Sequence, residues 1–195
     1  MFNKLFFIAV ALLLFASCKK TRGCTDSEAL NYNPDAAKDD RSCYYYWIGQ
    51  NYGGGKVFYI DVTKKHGLIA AHNDFSGTKW GDPGTLVAGA DGTDVGTGYQ
   101  NTVDIVNAFS TVTAASLCFD YDTLGFNDWY LPSQQEMKGL DMAFGSLGQG
   151  GIGSGYYWTS SEADASNAYL VMGANSAIVN LGKSAGYSVR AIRSF

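Results

Sequence analysis

The segment between Cys24 and Cys43 is rich in side chains that carry oxygen donors. Carboxylate and amide oxygens recur there at short intervals, which suits Ca²⁺, an ion that takes about 6–8 oxygen ligands. The segment lacks the residue order of an EF-hand loop, and Asp and Asn are also common turn-forming residues. A calcium site and a disulfide-stapled spacer are therefore both open hypotheses. The candidate calcium ligands are Asp26, Asn31, Asn33, Asp35 and Asp39.

A second group with metal-binding chemistry is His66, His72 and Asp74. His66 and His72 are the only two histidines of the sequence. Imidazole and carboxylate groups are both zinc ligands. No HExxH motif and no Ser-His-Asp spacing accompanies them. We therefore expect the chain not to be an enzyme, with a metal-dependent enzyme using these three residues as the alternative.

The composition limits the class of protein. The 195 residues carry a net charge of −4, and only 16% of them are charged. Since there is no basic stripe, we do not expect nucleic acid as a partner. The 24 glycines and the 14% of aromatic residues are typical of a loop-rich extracytoplasmic β or α+β domain.

The amino-terminal residues predict export. The apolar run Leu5–Phe15 is shorter than the roughly 20 residues of a membrane-spanning helix and is typical of a signal peptide. The order Ala16–Ser17 and then Cys18 resembles the lipobox of bacterial lipoproteins, with Phe15 where Leu is usual. This resemblance implies cleavage before Cys18 and lipid, such as palmitate, on its sulfur. An ordinary signal peptide with a chance cysteine is the alternative.

These observations divide the chain into three parts. Residues 1–17 are interpreted as the signal peptide, 18–45 as a lipidated tether with a short disulfide-bounded module, and 46–195 as the main domain. An oxidising compartment would let Cys24 and Cys43 form a disulfide. The resemblance to lipoproteins implies a membrane partner, reached through the lipid on Cys18. Because Lys19 is not the aspartate that retains lipoproteins at the inner membrane, it also implies the outer membrane of the cell envelope.

Local patterns after residue 43 predict strands and two helices. The glycines at 53–55 are interpreted as a bend before a strand. Apolar spacing predicts one helix over Thr102–Leu117. Ser133 and Glu136 form a capping-box pattern that predicts the start of a second helix. The expected strands are Tyr44–Gly49, Lys56–Asp61, Gly67–Ala71, Ala168–Met172, Ala177–Leu181 and Tyr187–Arg193. Strands, then helices, then strands indicate an α+β fold.

Five motifs in this order resemble one bacterial family: GGKVFYID, HGLIAA, GFNDWYLPSQQEMKGL, YYWTSSE and the terminal VRAIRSF. It is the domain family of unknown function shared with the C-terminal domain of the Lcl collagen-like adhesin. The resemblance extends from Ile48 to Phe195. It implies an α+β, C-type-lectin-like domain, similar also to the formylglycine-generating-enzyme domain. A twisted antiparallel sheet, two helices and long glycine-rich loops would then build it, and adhesion would be its role.

The chain departs from the family pattern at two places. His72 and Asn73 stand where Pro and Ser are usual. Ala191 stands where many members have a cysteine, so Cys118 lacks that partner and is expected to be a buried free thiol. The formylglycine-generating relatives use cysteines in their active region, and we do not carry that activity over.

The resemblance to lectins also implies a ligand site. Carboxylates and amides on loops would bind calcium and sugar, and exposed tryptophans would stack on sugar rings. The alternative is that these residues are structural, as the capping-box role of Glu136 indicates for that carboxylate. The candidate ligand-binding residues are Asp74, Trp80, Asn127, Asp128, Trp158 and Glu162. The expected function is non-catalytic binding of a glycan or a surface protein; a structural envelope protein without a small ligand is the alternative.

Overall fold

The structure is a computed structural model that describes residues 20–147, 152–173 and 175–195. The predicted signal peptide and Cys18 lie outside the described residues. The described residues form two compact units, which divide between Tyr44 and Tyr45. Among the described residues, none of the helices has both the length and the apolar character needed to cross a membrane.

The smaller unit contains a short two-stranded sheet closed by a disulfide. Strands β1 (Arg22–Gly23) and β2 (Lys38–Asp39) pair in parallel. Cys24 and Cys43 are bonded, with their Cα atoms 4.8 Å apart. The predicted disulfide is therefore confirmed. A bridge over a loop of this size stabilises a chain by about 3 kcal/mol, mainly by restricting the unfolded state.

The larger unit is a mostly-sheet α+β fold with three helices. Its order along the chain is β3 (Asn51–Tyr52), β4 (Gly55–Ile60), β5 (Gly67–Thr78), α1 (Gly98–Ala108), α2 (Ala114–Phe119), α3 (Gln134–Ser146), β6 (Tyr156–Glu162), β7 (Asn167–Met172), β8 (Ala177–Gly182) and β9 (Tyr187–Ser194). This confirms the α+β class predicted from the order of elements.

One seven-stranded sheet organises this unit. Its strand order is β3-β4-β5-β9-β6-β7-β8, and every pairing is antiparallel except that of β6 with β9. Strand β9 lies at the centre, where it joins β5 at Leu68↔Ser194 and Asp74↔Arg190. The large antiparallel sheet agrees with the prediction. The bend at the glycines is also found, as Gly53 and Gly54 have φ of 55° and 86° in the turn from β3 to β4.

Helices pack on both faces of the sheet. Alternate residues of a strand point to opposite faces, and both faces of this sheet carry apolar side chains that the helices cover. On β5, Ile69 belongs to a core cluster with Ile105 of α1 and Cys118 of α2. Its neighbour Leu68 belongs to a second cluster with Met137 of α3. The apolar surfaces of all three helices are thereby buried against the sheet.

The single helix predicted over Thr102–Leu117 is wrong. Helix α1 ends at Ala108, since Phe109 is extended with φ −121° and ψ 131°. Thr113 then begins α2 with a capping box, in which its side chain accepts from Ser116 N and Ser116 Oγ accepts from Thr113 N. Two helices with separate caps replace one continuous apolar pattern, so the unit has three helices instead of two.

Two strand predictions also need correction. The opening strand predicted over Tyr44–Gly49 is absent, because Trp47 starts a turn in which Gln50 N donates to Trp47 O. Strand β6 was not predicted, and four strands close the chain instead of three. Residues 157–162 are all buried, so β6 lacks the alternation of apolar and polar residues that identifies a half-exposed strand.

Candidate functional site

The two tryptophans predicted to stack on sugars are part of the core. Trp80 and Trp158 are both 0% exposed. The Trp80 indole donates to Thr159 O at 2.8 Å, and the Trp158 indole donates to Thr78 O at 2.9 Å. Neither ring presents a face to solvent, so the prediction that these two residues bind sugar is wrong.

Glu162 forms a buried ion pair instead of a ligand site. Its carboxylate accepts from the Lys183 ammonium and from Val87 N, at 3.0 and 3.1 Å for its two oxygens. Lys183 also donates to Thr85 O at 2.7 Å and lies 4.7 Å from the centroid of the Trp80 ring. The Lys183 side chain is fully buried. The pair therefore joins the loop after Asp82, the end of β6 and the residue after β8.

Asp74 is held by two groups of the sheet. It forms an ion pair with Arg190 on β9 and accepts from the Tyr157 hydroxyl at 2.8 Å. Burial, together with this hydrogen bond, raises the pKa of Tyr157 above its ordinary value. The carboxylate thus stabilises the contact between β5, β9 and β6, which is a structural role.

Asp128 pairs with the other arginine of β9. Its oxygens accept from Arg193 Nε at 2.6 Å and from Nη2 at 2.8 Å, a bidentate geometry. The hydrogen bond from Arg193 lowers the pKa of Asp128 below its ordinary value. Its neighbour Asn127 is exposed.

The six predicted ligand-binding residues thus comprise two core indoles, three paired carboxylates and one exposed amide, and they form no common site.

The alternative metal site also fails to form. His66 lies in the turn before β5, His72 is exposed within β5, and Asp74 is paired with Arg190. Over residues 20–147, 152–173 and 175–195, no group of three or more His, Cys, Asp or Glu side chains is placed to hold a metal ion.

The oxygen donors of the Cys24–Cys43 segment cap turns. Asp26, Asn33 and Asp39 each accept through Oδ1 from the backbone N–H two residues further on, at 2.9 to 3.0 Å. Asn31 accepts from Tyr44 N and donates to Ser42 O. The backbone N–H of Asp35 is the group that donates to Asn33 Oδ1. These contacts are those of the spacer hypothesis, in which short polar side chains substitute for a regular backbone ladder.

Glu136 has the structural role that the sequence predicted for it. The predicted capping box is present: Ser133 N donates to Oε2 at 2.8 Å, and Ser133 Oγ accepts from Glu136 N at 3.3 Å. Gly96 N adds a hydrogen bond to Oε1 at 2.8 Å. A side chain at position 98 would clash with this carboxylate, because a Cβ on Gly98 would lie 2.2 Å from Glu136 Oε2. Glu136 therefore attaches the loop before α1 to the start of α3.

The burial of Glu136 leads to a pH prediction. Desolvation raises the pKa of this carboxyl above its ordinary value, against the hydrogen bonds from Ser133, Gly96 and Gly98 that lower it. An acid with a raised folded-state pKa contributes most stability below its unfolded pKa and loses it as pH rises through the folded pKa. We expect the stability advantage of wild type over Glu136→Gln to shrink from pH 4 to pH 8, measured by urea unfolding. An advantage that grows with pH would contradict this.

Cys118 agrees with the prediction made from the family pattern. It is a free, buried cysteine, and burial raises the pKa of its thiol. Such a thiol is inert toward metals and oxidants because the thiolate is disfavoured.

An aromatic cluster that the sequence did not predict lies at the β3 edge of the larger unit. We define the aromatic platform as the packed rings of Tyr46, Tyr52 and Phe195; Trp47 follows Tyr46 in the chain. The Tyr46 ring lies 4.8 Å from that of Tyr52 and 4.5 Å from that of Phe195, measured between centroids. Trp47 is 60% exposed and Tyr52 is 41% exposed. A signal was present in the sequence, since residues 45–55 combine four aromatic side chains with no charged residue.

Comparisons with known proteins give a likeness in structure and none in sequence. No protein-family model and no curated protein sequence matches the chain. Among solved structures, the chain is similar to a fimbrial protein from Bacteroides ovatus ATCC 8483, with a TM-score of 0.47 and 16% identity. The likeness covers 83% of this chain and 50% of the fimbrial protein, so this chain spans about half of that protein's length.

Proposed function

We propose that the chain is a lipid-anchored protein of the cell envelope, placed at the outer membrane by lipid on Cys18. The observation that carries this proposal is the Cys24–Cys43 disulfide. Disulfides form and persist in oxidising compartments outside the cytoplasm. Cys24 lies shortly after the residues that resemble a lipobox. The disulfide supports export, and the lipobox resemblance supports anchoring.

The larger unit would then be a non-catalytic binding or adhesion domain of C-type-lectin-like type. The motifs of the family shared with the Lcl adhesin support this assignment, above all the block from Asp128 to Glu136. The carboxylates Asp74, Asp128 and Glu162 are engaged in ion pairs within the fold. Binding is therefore assigned to exposed uncharged side chains, among them Trp47 and Tyr52.

The anchor is tested by metabolic labelling with an alkyne analogue of palmitate. Wild type should incorporate the label, and mass spectrometry of the mature protein should find an acylated Cys18 at its amino terminus. Cys18→Ser should lose the label because the acceptor sulfur is gone. Cys118→Ala is the matched control and should keep it, since Cys118 is buried. An unmodified Cys18, or cleavage at another position, would overturn the proposal.

A further inference from the structure

We propose that the chain forms a symmetric dimer through strand β8, in which the free edge of β8 pairs antiparallel with the same edge of a second copy. Strand β8 is one of the two edges of the seven-stranded sheet. The outer backbone groups of an edge strand have no partner within their own sheet and can pair with another chain. This dimer does not depend on the lipid anchor, and it adds a second copy of the chain to the partners of the proposed function.

Strand β8 lacks the features that protect an edge from pairing. Such features are a very short strand, a bulge, a proline or a charged side chain. The six residues of β8, AIVNLG, include no proline and no charge, and their register with β7 continues through every pair without a shift. The opposite edge, β3, has only two residues. Strand β8 is therefore the edge that is suited to a partner.

The register with β7 determines which backbone groups of β8 are directed outward. Lys183 N donates to Ser166 O at 3.0 Å, and these two residues continue the register of β7 with β8. Hydrogen-bonded pairs alternate with non-hydrogen-bonded pairs along an antiparallel ladder. Every second residue counted back from Lys183 therefore bonds to β7, and the residues between them direct their N–H and C=O groups away from the sheet. These outward-directed residues are Ile178, Asn180 and Gly182.

A two-fold axis at Asn180 brings these outward-directed groups into register. When the axis is perpendicular to the sheet, Asn180 of one copy lies opposite Asn180 of the other, and Ile178 lies opposite Gly182. Both are pairs of outward-directed residues, so each copy donates and accepts along the new ladder. Asn180 is exposed, and its side-chain amides can bond to each other because an amide both donates and accepts. The contact is isologous, since both copies use the same surface.

The same register brings apolar side chains together across the dimer. Val179 of each copy lies opposite Leu181 of the other, in a non-hydrogen-bonded pair, where side chains approach most closely. Both side chains are half-buried and pack against the core cluster that contains residues of α1 and α2. On the other face, Ile178 packs against the α3 cluster and lies opposite Gly182, which has no side chain to clash with it.

The absence of charge on β8 favours a second copy over an acidic or a basic peptide. The chain carries a net charge of −4, but none of the charged residues lies on β8, so the two strands meet without like charges opposite each other. Lys183 follows the strand directly and is buried in its ion pair with Glu162. A charged peptide would find no counter-charge on the strand, whereas the Asn180 pair forms only between two copies.

The test is disulfide cross-linking of the full chain, purified in an excess of detergent micelles and mildly oxidised. Asn180→Cys should form a covalent dimer, because the Cα atoms of a hydrogen-bonded pair lie about 5.5 Å apart, within the range of a disulfide. Gly182→Cys is the matched control on the same strand, where an added Cβ meets no atom within 4 Å. Its two cysteines would be displaced by four positions, about 13 Å along the strand, and should not cross-link.

A charge placed at the two-fold axis gives a second readout, sedimentation velocity. Wild type should sediment as a dimer, and Asn180→Lys should sediment as a monomer because two ammonium groups would lie opposite each other. Asn51→Lys, at an exposed position of the other edge strand, should remain a dimer, and all variants should unfold at the same urea concentration. A monomeric wild type, no cross-link in Asn180→Cys, equal cross-linking of Gly182→Cys, or a dimer that persists in Asn180→Lys would each overturn the inference.

Discussion

Replacing Lys183 with Met is expected to lower the free energy of unfolding by about 3–5 kcal/mol, because it leaves a buried carboxylate without its cation. Glu162 is 5% exposed, so water cannot take the place of the ammonium. The remaining donor, Val87 N, provides hydrogen bonds but no positive charge. Lys183→Met also removes the donor to Thr85 O, so the loop that follows Asp82 loses one of its attachments. Urea unfolding at pH 7 measures the change.

Two variants separate the ion pair from general effects of the substitution. The double variant Lys183→Met with Glu162→Gln should recover much of the loss, since the glutamine oxygen still accepts from Val87 N and no unpaired charge is buried. Lys79→Met is the matched control on the surface, where Lys79 pairs with Asp82 at 2.7 Å and the side chains are 33% and 54% exposed. Exposed pairs contribute about 0–1 kcal/mol. A Lys183→Met cost as small as that of Lys79→Met would contradict the prediction.

Trp80→Ala is expected to lower the free energy of unfolding by about 3–5 kcal/mol, the usual result of emptying a buried aromatic position. The indole packs edge-on against Phe109, with ring centroids 6.4 Å apart, and lies beside Lys183. Its removal also leaves Thr159 O without the indole donor. Trp47→Ala, which removes an indole that is 60% exposed, should change stability by no more than about 0.5 kcal/mol. Equal costs for the two variants, measured by urea unfolding, would contradict the assignment of core and surface.

This difference affects how binding is tested. A loss of ligand binding in Trp80→Ala would report an unfolded or rearranged domain, and only the exposed tryptophan can separate recognition from stability. The resemblance to lectins pointed to Trp80 as a residue that stacks on sugar, and Trp80 lies in a glycine-rich, polar stretch, residues 73–98. The structure shows that this stretch folds back on the sheet, as Trp80 N and Gly81 N both donate to Lys183 O.

The parts of the fold that the sequence predicted are those determined by local chemistry. The capping box of Ser133 and Glu136 was predicted because both partners lie within one helical turn. The strand at β4 and the start of β5 were found because apolar runs end at turn residues. The Cys24–Cys43 bond was predicted because the two cysteines bound one short segment of a chain that we expect to reach an oxidising compartment. In each of these cases the interacting residues are close in the sequence.

The parts that were missed depend on partners far apart in the chain. Glu162 and Asp74 were proposed as ligand-binding groups because a free carboxylate and a paired one look the same in a sequence. Lys183 is brought to Glu162 only by the pairing of β6, β7 and β8, and Arg190 is brought to Asp74 only by the pairing of β5 with β9. Strand β6 was missed for a related reason, because it is covered on both faces. The aromatic platform escaped notice because exposure of a tyrosine or tryptophan is decided by tertiary packing.

The central position of β9 has a consequence for how the molecule reaches its folded state. Strand β9 pairs with β5, which precedes it by more than a hundred residues, and with β6. Pairings between such distant segments slow folding, because a long chain must be ordered before they form. The two halves of the sheet remain separate ribbons until residues 187–194 join them. A ribosome-bound or truncated chain without these residues would therefore leave the edges of β5 and β6 unpaired, and we expect it to need chaperone protection until β9 is available.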